Sequence, residues 1–230
     1  MRPSPDVTSA VVLLSGGQDS TTCLYWARQR WGVVHAVSVN YGQRHASELQ
    51  AAREIALLGG CASHITLDVE AFSQLADSSL VASGDVTAVG GYIDHGHALP
   101  STYVPGRNLV LATLGAARCA AVRASHLVLG VCQTDFSGYP DCREEFVKAA
   151  ELAVNLALPE SCRPLQVHAP LMHLTKAEEV LLATKLPGCM GALALSVTCY
   201  RGERPGCGAC PACLLRARGF AEAGVVDPAA

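Results

Sequence analysis

Short apolar runs alternate with segments of helical period along most of the chain. Continuous runs rich in Val, Ile and Leu predict strands at residues 7–14, 33–39, 63–69, 125–131 and 164–169. Between them, apolar residues that recur every three or four positions predict helices at residues 20–30, 46–58, 109–122 and 144–156. The strands are apolar throughout rather than alternating, so both faces of the sheet must be covered. This pattern predicts an α/β protein with a doubly wound parallel sheet.

Residues 71–104 interrupt the pattern. They are rich in Gly, Ser, His and Asp and have no clear period. A connection of that length in a compact domain is usually either a functional lid or disordered. Beyond residue 195 the chain carries clustered cysteines. We therefore expect an α/β domain over residues 1–195, with a small metal-binding region over residues 196–230 packed on it.

Composition narrows the class of protein. Half of the 230 residues are hydrophobic and only 16% are charged, which indicates a globular chain with a substantial core. No apolar stretch is long enough to span a bilayer and the first six residues lack a signal core, so we expect a cytoplasmic protein with no membrane partner. With 17 basic and 20 acidic residues, a net charge of −3 and no basic tract, we expect no nucleic-acid partner either.

A loop with two adjacent glycines joins the first predicted strand to the first predicted helix. Adjacent glycines let the backbone approach a ligand closely, and exposed N–H groups at a helix start favour an anion. Hydroxyl groups add donors, and Asp19 could hold Mg²⁺ between phosphates. The Walker pattern is absent, because no Gly-Lys-Ser/Thr follows. A tight turn with a capping Ser or Asp is the alternative. The candidate nucleotide-binding residues of the loop are Leu14, Ser15, Gly16, Gly17, Gln18, Asp19, Ser20, Thr21 and Thr22.

Residues 15–20, Ser-Gly-Gly-Gln-Asp-Ser, resemble the pyrophosphate loop (PP-loop) of the ATP pyrophosphatases. These adenylating enzymes include asparagine, NAD and GMP synthetases and tRNA thiolation enzymes. The resemblance implies ATP with Mg²⁺ as co-substrate, with pyrophosphate bound by the loop as it leaves. Four further segments resemble one family, the 7-cyano-7-deazaguanine synthases (QueC family) of the queuosine pathway. They are residues 41–45, 103–108 and 135–143 and the terminal cysteine cluster, in order along most of the chain.

Two of these segments offer groups for the nucleotide. Tyr41 and Gln43 follow the second predicted strand, so their polar groups face the crevice beyond the strand ends, where the family's fold places the adenine end of ATP. Arg107 begins a predicted helix and can bind a phosphate or a carboxylate through two parallel hydrogen bonds. A tight turn at Tyr41 and a solvated first-turn arginine are the alternatives.

The segment 135–143 is the candidate site for the base. Asp135 and Asp141 could accept the exocyclic amino and ring N–H groups of a guanine-like base, and Arg143 suits its carboxylate. Phe136 and Tyr139 could stack on the ring. A turn rich in Asp and Ser is the alternative.

Lys176 is a further candidate, since the chain has only three lysines. Thr175 and Glu178 form a predicted capping box around it, which places the lysine at a helix start and against the helix dipole. An anionic ligand would reverse the sign of that interaction, and resembling enzymes place a lysine near the transferred phosphate. A surface lysine with a partly buried stem is the alternative. Asp19, Lys176 and Arg107 are the candidate catalytic residues.

The terminal cysteines have the spacing C-x7-C-x2-C-x2-C. Cys199, Cys207, Cys210 and Cys213 give four thiolates that close a tetrahedral site without an open position, which is typical of structural zinc. We expect one Zn²⁺ per chain. An iron–sulfur cluster or a redox pair are the alternatives.

Together the resemblance implies an ATP-dependent ligase that converts 7-carboxy-7-deazaguanine and ammonia into the nitrile 7-cyano-7-deazaguanine. The implied route passes through the adenylated acid, the amide and the adenylated amide, and the implied assembly is a homodimer. Three alternatives remain: a tRNA sulfur transferase of the same superfamily, a related ligase with another acceptor, and a non-catalytic zinc-binding protein.

Overall fold

The computed structural model describes residues 6–41, 46–69, 92–94, 98–100, 103–134 and 139–230. Its strands are β1 (Asp6–Leu13), β2 (Val33–Asn40), β3 (Ser63–Asp68), β4 (Tyr92–Asp94), β5 (Ala98–Pro100), β6 (Ala124–Val128) and β7 (Gln166–His168). Its helices are α1 (Gln18–Arg28), α2 (Ala46–Leu58), α3 (Arg107–Val122), α4 (Glu144–Ala157), α5 (Lys176–Lys185), α6 (Cys189–Leu193) and α7 (Pro211–Ala223). Two short 3₁₀ turns lie at Pro140–Cys142 and Glu160–Cys162.

Five strands form one parallel sheet in the order β3-β2-β1-β6-β7. Strands β2 and β3 lie on one side of β1, and strands β6 and β7 lie on the other. The connections that leave β1 and β6 therefore diverge and open a crevice at the carboxyl ends of these strands, where such sheets bind ligands. The pyrophosphate-loop segment follows β1 and so lies at this crevice. β4 and β5 form a separate antiparallel pair.

Alternate residues of β1 enter two different cores, because successive side chains of a strand point to opposite faces. Val12 packs with Leu24 and Ile55 on the face covered by α1, α2 and α5–α7. Val11 packs with Ala112 on the face covered by α3 and α4. The predicted doubly wound parallel sheet, apolar on both faces, is confirmed.

Most predicted elements lie within a few residues of the observed ones, and helix α2 has the predicted bounds. Strand β7 is shorter than the prediction of 164–169, and β6 ends three residues before the predicted 131. Within 71–104, the stretch without a clear period, the structure describes the β4–β5 pair and residues 103 and 104. The sequence pattern did not predict helix α7. None of the helices in the described part of the chain has the length and hydropathy of a membrane-spanning segment. The predicted boundary between residues 195 and 196 stays a prediction.

Candidate active site and metal centre

The pyrophosphate-loop segment is held by short-range hydrogen bonds between its own residues. Ser15 N donates to Ser20 Oγ at 3.2 Å, and Gly17 N donates to Ser15 Oγ at 3.3 Å. The Gly17 carbonyl accepts from the hydroxyls of Ser20 at 3.2 Å and Thr21 at 2.7 Å. The segment is thus a preformed turn that leads directly into α1, whose N-terminal N–H groups face the crevice side of the sheet.

Gly16 is required by its surroundings. Its φ of +89° lies in the left-handed region, and a Cβ here would lie 2.3 Å from the Glu48 carbonyl oxygen and 2.8 Å from Ala52 N. From the other side, Val197 N donates to the Gly16 carbonyl at 2.9 Å. Helix α2 and the chain after α6 therefore clamp the loop from both sides.

Lys176 lies between two carboxylates. Its Nζ is 2.8 Å from Asp19 Oδ1 and 2.9 Å from Glu179 Oε2. The Asp19 side chain is 31% exposed, whereas that of Glu179 is 2% exposed. Burial, together with the nearby Asp19 carboxylate, raises the pKa of Glu179, and the Lys176 ammonium opposes that rise. In the described part of the chain, Glu179 Oε1 is buried without a hydrogen-bond partner.

Three candidate loop residues have side chains that are buried under the loop. Leu14 belongs to the core between the sheet and α1. Thr22 is fully buried and donates from its hydroxyl to the Gln18 carbonyl at 3.1 Å. The Gln18 amide is buried too, and neither of its polar atoms has a partner in the described residues. Of the nine candidates, Ser15 and Asp19 are the ones whose polar side chains are clearly accessible from the crevice.

Arg107 lies among tyrosines at the start of α3. Its guanidinium carbon is 5.7 Å from the ring centre of Tyr41 and 6.0 Å from that of Tyr139. The ring of Tyr139 is in turn 5.6 Å from that of Tyr103. Although burial opposes it, the surrounding phenols and Asp141 raise the pKa of Arg107, so the guanidinium stays charged. A planar cation and three aromatic rings suit a flat anionic ligand.

Asp141 forms hydrogen bonds with the start of α3. Its Oδ2 accepts from Asn108 N at 3.2 Å, and its carbonyl accepts from Asn108 Nδ2 at 3.0 Å. These bonds cap a helix whose own N-cap, Gly106, has no side chain to do so. The second carboxylate oxygen, Oδ1, is buried without a partner within the described ranges. Within the described part of the chain, this oxygen can still accept a hydrogen bond from a ligand.

The remaining base-site candidates are less defined by the structure. Arg143 is exposed and precedes α4 as its N-cap residue. Asp135, Phe136 and the nucleotide candidate Gln43 lie outside the described residues.

Sequence analysis missed Glu48, which joins the loop to the Arg107 group. Its carbonyl oxygen lies against Gly16. Burial raises the pKa of its carboxyl to about 7, while Arg107 opposes the rise. Glu48 also acts on the pKa of Tyr41. The available signal was an acidic residue in the first turn of a helix that follows a crevice-facing strand end.

Tyr200 was missed as well. Burial and the nearby Tyr139 raise the pKa of its half-buried phenol, while Arg107 opposes the rise, so Tyr200 is a neighbour of the Arg107 group. Its position directly after Cys199 had assigned it only to the cysteine cluster.

The four terminal cysteines form one cluster. The sulfur atoms of Cys199, Cys207, Cys210 and Cys213 all lie within 4.8 Å of one another. Tetrahedral Zn–S bonds of about 2.3 Å place the sulfurs about 3.8 Å apart, so the cluster has the size of a metal site. Cys199 Sγ accepts backbone N–H bonds from Arg201 and Cys207. Similar bonds from Ala209 and Cys210 lower the pKa of Cys207 to about 6. The bonds to Cys207 favour the thiolate form that a metal requires, and the cluster could hold a metal ion.

Helix α7 begins at this cluster and continues to the active-site side of α5. Cys210 is its N-cap residue. Arg216 is buried and donates to both carboxylate oxygens of Asp227, at 2.6 and 2.8 Å. It also donates to Ser196 Oγ at 2.8 Å and to the Leu193 carbonyl at 3.2 Å. The buried guanidinium thus ties α7 to the segment that clamps Gly16.

Comparison with known proteins gives this arrangement a context. Residues 9–224 match the family described as queuosine biosynthesis protein QueC. The chain is 51% identical to the 7-cyano-7-deazaguanine synthase of Laribacter hongkongensis, over 97% of this chain and 94% of that protein. It is 44% identical to the 7-cyano-7-deazaguanine synthase of Bacillus subtilis, over 93% and 94%. Among solved structures, a 4-thiouridine synthetase–RNA complex with bound ATP aligns with a TM-score of 0.51 at 15% identity, over 93% of this chain and 53% of that one. The last is a likeness of fold.

Proposed function

The chain belongs to the family of the queuosine biosynthesis protein QueC, and we propose that it is an ATP-dependent ligase that makes 7-cyano-7-deazaguanine from 7-carboxy-7-deazaguanine and ammonia. The observation that carries this proposal is the meeting of two groups of residues at one crevice. One group is the glycine loop with the Asp19–Lys176 pair, which suits a leaving pyrophosphate. The other is Arg107 with Tyr139, which suits a flat carboxylated base.

The first half of the reaction replaces a carboxylate oxygen. A carboxylate cannot expel oxide, so one of its oxygens attacks the α-phosphate of ATP, a new P–O bond forms, and the bond to pyrophosphate breaks. Loop N–H groups and the Lys176 ammonium stabilise the charge that develops on the leaving pyrophosphate. Ammonia then attacks the acyl carbon, AMP leaves with the oxygen, and the nitrogen loses a proton. The products are the primary amide and AMP.

The second half removes the remaining oxygen. Loss of hydroxide from an amide is as unfavourable as loss of oxide from a carboxylate. The amide oxygen therefore attacks the α-phosphate of a second ATP at the same loop, and pyrophosphate leaves again. Loss of a nitrogen-bound proton and expulsion of AMP complete the carbon–nitrogen triple bond. Two activations through one loop give two AMP and two pyrophosphate for each nitrile.

The base is held, in this proposal, by groups around the start of α3 and the segment 135–143. Asp141 Oδ1 accepts a ring or exocyclic N–H, Tyr139 stacks on the ring, and Arg143 or Arg107 pairs with the carboxylate. Support for Asp141 comes from its buried oxygen Oδ1, which has no hydrogen-bond partner among the described residues. Asp135 and Phe136 complete the set as predictions. Tyr41 and Gln43 are likewise predictions, for the adenine end of ATP.

Two metals accompany the proposal. The cysteine cluster would hold one structural Zn²⁺, because four sulfurs fill its coordination and leave no position for a reacting water. Asp19 would contact Mg²⁺ on the phosphates, where the ion supplies charge neutralisation. We further propose a cytoplasmic homodimer that acts on small molecules alone, with the domain boundary at residue 195.

A tRNA sulfur transferase is the main alternative from the same superfamily. That chemistry needs a reactive thiolate beside the adenylated base. Cys142 is the cysteine next to the candidate base site, and it accepts a hydrogen bond from Asn108 Nδ2 at 3.4 Å. Burial and the adjacent Asp141 raise its pKa to about 12, so it is a protonated thiol at neutral pH. This favours the ligase. A related ligase with another acceptor would not convert the synthetic amide, so the experiment with that amide distinguishes the two ligases.

The decisive experiment supplies synthetic 7-amido-7-deazaguanine with ATP and no ammonia, and counts AMP against nitrile. We expect a ratio near one, against a ratio near two when the acid and ammonium are the substrates. Formation of ADP, or no reaction from the amide, contradicts the scheme. Glutamine in place of ammonium should give no product with the purified chain.

A further inference from the structure

Helix α7 meets the stem of Lys176 at a glycine. Gly219 lies in the interior of α7, and a Cβ at this position would lie 2.6 Å from Lys176 Cγ, 3.0 Å from its Cβ and 3.2 Å from its carbonyl carbon. Atoms of folded proteins do not approach this closely, so a side chain at residue 219 requires Lys176 or the helix to move. The lysine side chain occupies the space that a side chain at residue 219 would take.

The choice of glycine is not explained by the helix itself. Glycine destabilises a helix interior relative to alanine, and α7 has no kink or left-handed residue at this position. Its left-handed residue is Gly224, at the C-cap. The requirement for glycine therefore comes from the neighbour, and that neighbour is the lysine that pairs with Asp19.

Hydrogen bonds and ion pairs hold both partners of the contact, Gly219 in α7 and Lys176 in α5, in place relative to the loop. Arg216, one turn earlier in α7, is bound to Ser196 and the Leu193 carbonyl, and Val197 is bound to the loop at Gly16. On the other side, the Lys176 ammonium is held by Asp19 and by the fully buried Glu179. The lysine stem thus passes through a gap of defined width.

We propose that Gly219 is a positioning residue for Lys176, and that its missing side chain leaves the gap through which the lysine reaches the leaving pyrophosphate. This inference rests on the proposed function, in which Lys176 contacts a phosphate. An added methyl group would push the lysine stem aside and withdraw the ammonium from the loop, while the fold of the sheet remains.

The test measures binding of Mg·ATP to the purified chain by calorimetry, in the absence of the base, so that no turnover occurs. We expect Gly219→Ala to weaken binding about tenfold, the size of a lost charge-assisted contact. The matched control is Gly191→Ala, since Gly191 also lies in a helix but has no atom within 4 Å of an added Cβ. It should bind as the parent does.

A double-mutant cycle separates positioning from general helix packing. In a Lys176→Ala background the ammonium is gone and so is the Cγ, the atom nearest to the new methyl group, so Gly219→Ala should cause little further loss of affinity. An equal loss in both backgrounds, or parental affinity in Gly219→Ala, overturns the proposal. If Gly219→Ala also lowers stability, a smaller loss in the Lys176→Ala background than in the parent supports the proposal, and an equal loss overturns it. A parent chain that does not bind Mg·ATP would instead reject the proposed function.

Discussion

Lys176 and Asp19 lie 157 residues apart in the chain and meet at 2.8 Å. The lysine is also bound to Glu179 at 2.9 Å. Of these two carboxylates in the described part of the chain, Asp19 is accessible from the crevice and Glu179 is not. A ligand can therefore take over Asp19 without leaving the buried ammonium uncompensated.

Asp19→Asn should abolish AMP formation and leave stability nearly unchanged. The amide removes the charge that is proposed to contact Mg²⁺ and pyrophosphate, whereas Lys176 retains Glu179 as its counterion. Because the Asp19 side chain is about one-third exposed, we expect the free energy of unfolding to fall by no more than about 1 kcal/mol. An AMP assay and urea unfolding measure the two effects. A variant that is inactive because it is unfolded would favour the plain turn-and-cap interpretation.

Lys176→Met should be strongly destabilising as well as inactive. It leaves the fully buried Glu179 carboxylate without its cation, a change that typically costs about 3–5 kcal/mol. Lys148→Met is the matched control, since Lys148 pairs with Glu144 at 2.7 Å but on the exposed face of α4. The control should unfold at the same urea concentration as the parent. Equal midpoints for the two variants would contradict the buried pairing.

Glu48→Gln should stabilise the protein at pH 8 and not near pH 4.5. The folded-state pKa of Glu48 is raised from 4.5 to about 7. Its contribution to stability is therefore present below pH 4.5 and is lost as the pH rises through 7. The amide of the variant does not titrate. The free energy of unfolding of the variant therefore exceeds that of the parent by an amount that grows over this pH range to about 3 kcal/mol. Urea unfolding of both chains at the two pH values provides the measurement, and parallel pH curves would contradict it.

Loss of the proposed zinc site should unfold the C-terminal region. Cys210→Ser leaves three sulfurs, and because metal binding at such sites supplies folding energy, we expect an unstable or insoluble protein. Cys162→Ser, at a half-buried cysteine outside the cluster, should behave as the parent. Elemental analysis of the parent should find one zinc per chain. Iron with visible absorption in anaerobically purified protein would contradict the zinc assignment.

The two arginines near the base site should differ in kinetics. Arg143→Ala should raise the KM for the carboxylated base far more than the KM for ATP, because its proposed contact is with the base alone. Arg107→Lys keeps the charge but loses the planar group that lies over Tyr41 and Tyr139, so kcat should fall as well. Steady-state kinetics with each substrate varied in turn give both constants. A fall in kcat for Arg143→Ala without a change in KM would reverse the assignment.

Local sequence signals predicted most of the fold. Apolar runs located the strands, and the predicted capping box of Thr175 and Glu178 is present with both of its hydrogen bonds. The adjacent glycines identified the loop after β1. The close approach that Gly16 makes in the structure is to the backbone of α2, whereas the prediction was a close approach to a ligand. These features depend on neighbours within a few residues, which a single sequence displays.

Long-range contacts could not be predicted in the same way. The pairing of Lys176 with Asp19 and the approach of Gly219 to Lys176 depend on how helices pack, and no local pattern encodes that. Asp141 was assigned to a base, yet it also caps a helix 33 residues earlier. Helix α7 escaped prediction because Pro211 and Cys213 lie in its first turn and Cys210 is its N-cap residue, and these residues belong to the predicted metal site.

The way the loop is clamped has a consequence for synthesis on the ribosome. The glycine loop emerges before its partners: β6 pairs with β1 from residue 124, and Val197 binds Gly16. Contacts of such sequence separation form slowly, because long segments must be closed first. A nascent chain therefore carries a complete loop motif without a working nucleotide site until the segment around Val197 has emerged.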